Sequence, residues 1–263
     1  VSQEIIILDF SSLEEISAAG AVALFARVTS AQISSGNDQL FQIIQPKKHN
    51  VRKQFRGSGL FNALRPGGRR KLDKLWDEKS KFLSGYDQEK HLDPTLDLIG
   101  DTLDDGTPNH LKEAINEAIL NIQQHAYRDP ANGLSSGLRR RWWQYCYLDR
   151  DSNRFIFVIS DLGQSIPSSF SQSHRSHEEL IAHAMKKGVS STGDPWRGKG
   201  SQNIKDPVEL EVSDKLIVIS GNGLYVYNSS NIKEELAGLS YPYYGTLIAW
   251  SFDLLGGKND NRN

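Results

Sequence analysis

One stretch constrains this chain more than any other: Leu111-Lys-Glu-Ala-Ile-Asn-Glu-Ala-Ile-Leu-Asn-Ile-Gln-Gln-His-Ala-Tyr127. Read at helical period it divides into two faces. Leu111, Ile115, Ala118 and Ile122 recur at i, i+4, i+7 and i+11, an apolar stripe that must be buried against something. Glu117, Asn121 and His125 follow at i, i+4 and i+8 and stack along a second face. A carboxylate and an amide one turn apart can hold a metal-bound oxyanion and activate a hydroxyl beside it. An ordinary surface helix would use the same spacing, so the decision rests on what lies elsewhere in the chain.

Before this helix, Glu4 to Phe10 is a β-branched run that predicts a buried strand. Ser17 to Arg27 predicts an alanine-rich helix, Gln39 to Gln45 a second strand closed by Pro46, and Asn50 to Phe55 a short helix. Strand, helix, strand and helix within residues 1–65 suggest a small α/β domain. Between Lys47 and Lys81 there are 12 Lys or Arg against 3 acidic residues, a run that suits a solvated linker and offers nucleic acid or an acidic partner a surface. Pro66-Gly-Gly68 marks its boundary, so residues 66–95 are expected to be a basic linker.

After the linker the expected order is a short helix over Leu96 to Leu103, an Asp104-Asp-Gly106 turn and the long helix, broken by Asp129-Pro-Ala-Asn-Gly133. Arg141 to Asp149 and Arg154 to Asp161 read as consecutive strands. Glu178 to Lys187 reads as a helix. Lys215 to Ser220, Gly223 to Tyr227 and Gly245 to Phe252 read as three more strands, the first two joined by a Gly-Asn turn. Residues 96–255 then form an α/β sandwich with its sheet on one side and helices on the other, and 256–263 are a polar, disordered tail.

Composition excludes several classes. A formal net charge of -1 creates no global field for nucleic acid or membrane. The single cysteine, Cys146, rules out an internal disulfide framework and suits the reducing cytoplasm. No apolar run reaches the ~18 residues that span a bilayer, and no signal peptide is visible. Because the chain starts at Val1 and its only methionine is Met185, it reads as a trimmed or partial product.

Four elements then occur in a fixed order: Glu117-Ala-Ile-Leu-Asn121 with His125-Ala-Tyr127, Asp161-Leu-Gly163 with Ile166, Gly198-Lys-Gly200, and Gly245-Thr246. In that order they resemble the N-box, the two glycine boxes and the terminal sheet motif of the GHKL superfamily of ATPases and kinases. The resemblance runs from about Leu96 to Phe252 and is closest to the ATP domains of bacterial anti-sigma-factor kinases. It implies that ATP and Mg²⁺ are the cofactors. Asp161 would accept the exocyclic amine of adenine, Gly163 would let the chain approach the base, Ile166 would cover it, and Thr246 would hold a water against it. Gly198 and Gly200 would cradle phosphates through backbone N–H groups, with charge from Arg197 or Lys199. Asn121 would be the metal ligand and Glu117 the base that takes a proton from an attacking water or hydroxyl. His125 and Tyr127 read as structural, and residues 167–200 resemble the family's mobile lid.

The first half resembles the STAS fold, the antagonist partner of such kinases, through the strand Ile5 to Phe10, the segment Ile16-Ser-Ala-Ala-Gly20 and Val51 to Phe61. The family presents a phosphorylatable serine just before the glycine; here that position is Ala19, so the resemblance implies fixed docking or dimerisation instead. The expected function is an ATPase or serine/threonine protein kinase in bacterial regulation. The alternative is a non-catalytic module in which ATP gates capture of a regulatory protein. Expected partners are that regulatory protein, a second copy of the chain and, as a third reading, nucleic acid on the basic run 47–81.

Overall fold

The computed structural model describes residues 5–104, 106–127, 138, 140–170, 174–186, 200–209, 214–229 and 233–254. Strand β1 (Ile6–Asp9) pairs in parallel with β2 (Phe41–Ile44), and helix α1 (Ala18–Ser35) forms the crossover between them. Ser17 starts α1 by accepting the Gly20 N–H at 3.1 Å, and with no breaker in between, the helix runs eight residues past Arg27 to a left-handed Gly36. The first strand is not buried as expected. Ile5, Ile6 and Ile7 are 58%, 48% and 59% exposed, while Leu8 and Phe10 reach the core. With β2 as its partner, β1 has only its inner face covered.

Helices α2 (His49–Gly57) and α3 (Leu60–Leu64) follow. The span read as a linker is folded: it contains α4 (Gly68–Asp77), β3 (Phe82–Gly85) and the start of α5 (Gln88–Leu103). Leu72, Leu75, Phe82 and Leu83, spaced among the cations, are all buried, so the run is amphipathic rather than solvated throughout. Even Lys71 is buried; it donates to Gln32 Oε1 at 3.1 Å and to the Arg65 carbonyl at 2.7 Å, and burial pushes its amine down to about 8.

The large sheet is antiparallel, with strand order β3-β4-β5-β7-β6, where β4 is Trp142–Asp149, β5 Arg154–Asp161, β6 Lys215–Asn228 and β7 Lys233–Asp253. Strands β4 and β5 are apolar on both faces. Trp142, Cys146, Phe155, Phe157 and Ile159 face α5, α6 (Asn109–Asn121), α7 (His177–Ala184) and α8 (Gly200–Glu209). Trp143, Tyr145 and Val158 face α1, α3 and α4. Helices therefore cover both sides of the sheet, where one side was expected, because the first half uses the back of this sheet as its core.

The strands predicted on either side of Gly221-Asn222 are one strand. The glycines mark an irregularity in β6, not a hairpin, and the start of α7 fills the notch: the Asn222 N–H donates to His177 Nδ1 at 2.9 Å. No helix among the described residues is long and apolar enough to cross a membrane.

Candidate functional site

Helix α6 is the spine of the site. Leu111, Ile115, Ala118 and Ile122 are buried as the stripe requires, with Ala114 and Ile119 alongside. On the other face Asn121 Nδ2 donates to Glu117 Oε1 at 3.1 Å. Glu117 is half-buried, and desolvation holds its carboxyl above the ordinary range despite the opposing Asn121 hydrogen bond. The first residue of α8, Gly200, lies directly against this carboxylate; a Cβ there would collide with Glu117 Oε1.

After Asn121 the helix widens into a π turn, Ile122–Ala126. The α-helical spacing that would stack His125 beneath Asn121 therefore stops at Asn121, a point the sequence pattern did not reveal. The π turn brings the helix end onto the loop after β5. Tyr127 donates its hydroxyl proton to the Arg141 carbonyl and accepts the Leu162 N–H at 3.1 Å. Gly163 is pressed on the Ala126 carbonyl, which a Cβ would strike, so its glycine is required by the helix end.

Asp161 ends β5 and is 3% exposed. Its carboxylate accepts the Gly163 N–H at 2.8 Å and the Thr246 backbone N–H, yet burial outweighs both and pushes it up to about 7. Gly245 sits at φ 89, with its Cα against the Asp161 carbonyl, a conformation and an approach that only glycine allows. Thr246 is thereby placed beside Asp161. Ser220, which nothing in its spacing singled out, joins the group: it is fully buried, donates to the Gly245 carbonyl at 2.8 Å, lies 3.0 Å from Thr246 Oγ1 and accepts the Ile166 N–H at 2.8 Å. Ile166 leads into a 3-10 turn, Pro167–Ser169.

The structure thus brings together Asp161, Gly163, Ile166, Gly245 and Thr246 at one end and Glu117, Asn121 and Gly200 at the other, joined along α6. Arg197, Gly198 and Lys199 lie outside the described residues, as do 171–173 and all of 187–199 within the segment 167–200 expected as lid. The described part of that segment includes the 3-10 turn Pro167–Ser169 and α7, which is started by a reciprocal Ser176–Glu179 capping box and fastened to the β6 notch through His177. A cavity of about 440 Å³ lined by Gln32, Asp38, Arg69 and Arg70 among others belongs to the first half and includes none of these residues.

Among the described residues no group of three or more His, Cys, Asp or Glu is placed to hold a metal. A cation here would depend on the Asn121 amide oxygen together with oxygens of a ligand, a donor set that suits Mg²⁺. No protein-family model matches the chain, and no curated protein matches it.

The geometry separates two chemistries. The Asp161 end is a buried, mutually hydrogen-bonded group at a strand end. The Glu117 end pairs a desolvated carboxylate with an amide, beside the start of a helix whose N–H groups favour an anion.

Proposed function

We propose that the chain binds Mg²⁺-ATP in the manner of GHKL proteins and acts as an ATPase or as a serine/threonine protein kinase in bacterial regulation. One observation carries the reading. Four stretches far apart in sequence, 117–121, 161–166, the residue at 200 and 245–246, meet along α6 in an arrangement suited to an elongated ligand. From Glu117 to Asn121 the α-helix rises about 6 Å, and the π turn Ile122–Ala126 carries it on toward the Asp161 end. Adenine would lie at the Asp161 end, with its amine donated to the carboxylate and Ile166 on its face. The phosphates would lie at the start of α8, near Gly200, with Arg197, Gly198 and Lys199 completing the cradle. Asn121 would hold Mg²⁺, which would neutralise charge on the phosphates.

Glu117 is the base in this reading. A carboxylate raised by desolvation is better matched to proton transfer near neutral pH than a solvated one. It takes the proton from a water or a protein hydroxyl; that oxygen bonds to the γ-phosphorus while the bond to the β–γ bridging oxygen breaks and ADP leaves. The first half, STAS-like in this reading, provides the docking surface for a regulatory protein or a second copy. Ala19 carries no hydroxyl at the position where STAS proteins present their serine, and Ser17 caps α1, which supports docking rather than phosphate acceptance by the first half.

Incubating the protein with γ-labelled ATP and Mg²⁺ tests this directly. Free phosphate marks an ATPase, and label on a protein marks a kinase. Binding with neither favours the second reading, an ATP-gated capture module, for which the substitution at Ala19 speaks. No binding at all removes both.

A further inference from the structure

Ser220 lies opposite Thr246 across the β6–β7 pair, and its three contacts determine where the protons sit. A serine hydroxyl has one proton and two lone pairs. The Ile166 N–H can only donate, at 2.8 Å, and the Gly245 carbonyl can only accept, at 2.8 Å. Ser220 therefore spends a lone pair on Ile166 and its proton on Gly245. Its remaining bond, to Thr246 Oγ1 at 3.0 Å, must carry the proton of Thr246. With that proton turned inward, Thr246 Oγ1 faces any other neighbour as an acceptor. In its ionised form the adjacent Asp161 carboxylate, which takes the Gly163 and Thr246 N–H groups, is an acceptor as well.

We infer that Ser220 is a positioning residue that sets base specificity by fixing the hydrogen-bond polarity of Thr246, so that the site reads a purine with an amino group at C6 and rejects one with a carbonyl there. This rests on the ATP reading of the same site. Without Ser220 the Thr246 hydroxyl is free to rotate and donate to a carbonyl oxygen, which is the atom that inosine triphosphate presents in place of the adenine amine. A variant that only loosened the fold would weaken both nucleotides. Loss of polarity control instead predicts a gain for one of them.

Affinities of the full chain for ATP and inosine triphosphate are to be measured by calorimetry for the parent, Ser220→Ala, Thr246→Val and the double variant, with a melting curve for each. The parent should prefer ATP. Ser220→Ala should bind inosine triphosphate about 3- to 10-fold more tightly than the parent does, the range of one hydrogen bond, with ATP unchanged or weaker. The double variant should lose that gain, because valine cannot donate. Ser220→Cys keeps a similar volume but accepts poorly, and it should show the same gain if the alanine variant does not fold. A folded Ser220 variant with the parent's ratio, or a parallel loss of both nucleotides, overturns the inference and leaves the ATP reading standing. A parent that binds neither nucleotide overturns both.

Discussion

The two sites joined by the last turns of α6 and the π turn after it make an instructive pair. At the Asp161 end the polar groups of Asp161, Gly163, Ile166, Ser220 and Gly245 are bonded to one another, and the carboxylate is almost fully buried. At the Glu117 end one hydrogen bond links two half-buried side chains, and the glycine that touches Glu117 opens a helix whose approach lies outside the described residues. The first end is held by strands β5, β6 and β7 and is suited to reading a shape. The second has carboxylate and amide groups left to engage a ligand and is suited to reaction. The difference teaches that one helix can carry both tasks when its apolar face and terminal π turn are fixed to the sheet and its polar face is left to a ligand.

The largest expected effect tests the open end. Glu117→Gln should lower any turnover by about 10²–10⁴ and leave ATP affinity near the parent value, measured by phosphate release and calorimetry. Turnover at the parent rate would move the base elsewhere and dissolve the contrast. Asn121→Ala, by comparison, should cost Mg²⁺-dependent affinity, visible as loss of the difference between ATP binding with and without the ion.

The sealed end should instead govern stability against pH. Asp161 is raised from 3.8 to about 7 by burial, so the folded chain keeps this proton where the unfolded chain has lost it. The associated stability is present below pH 4 and is lost as pH rises to about 7, on the order of 4 kcal/mol for this group. Asp161→Asn should flatten that slope in denaturant melts at pH 5 and pH 8. An unchanged slope would show that the carboxylate is not sealed.

Between the two ends, Ile122→Ala serves as the neutral reference. It should cost ~2–5 kcal/mol of stability, since Ile122 is only 5% exposed, and leave ligand preference as it is until the chain unfolds. The smallest effect is on affinity. Asp161→Ala should weaken ATP about 10- to 150-fold, the worth of one charged hydrogen bond, and the parent should not bind GTP. Equal ATP and GTP affinities would mean that the sealed end does not read a base.

Periodicity alone was enough for α6, β4 and β5. Leu111, Ile115, Ala118 and Ile122 are buried where a 3.6-residue repeat puts them, and the alternation of Phe155, Phe157 and Ile159 gives one face of a strand. The pairing of Glu117 with Asn121 follows from the same repeat. Local pattern misled where burial depended on a distant partner. The cations of 66–95 read as a linker because their apolar companions Leu72, Leu75 and Phe82 are sparse, yet those few are what the back of the sheet covers. Gly221-Asn222-Gly223 read as a hairpin because the chemistry of a turn and of a bulge is shared, and only the arrival of His177 distinguishes them.

What the sequence determined by itself is therefore the set of elements whose periods are strong and the residue types available for chemistry: an acceptor carboxylate after one strand, a carboxylate and amide on one helix, glycines where chains must touch. What only the tertiary structure decided is which of these meet and in what state. The collision that reserves Gly163 for the Ala126 carbonyl and the three bonds of Ser220 depend on contacts between residues dozens of positions apart. Hydrogen-bond polarity and desolvation belong to the neighbours a group acquires on folding, and a linear pattern does not specify those neighbours.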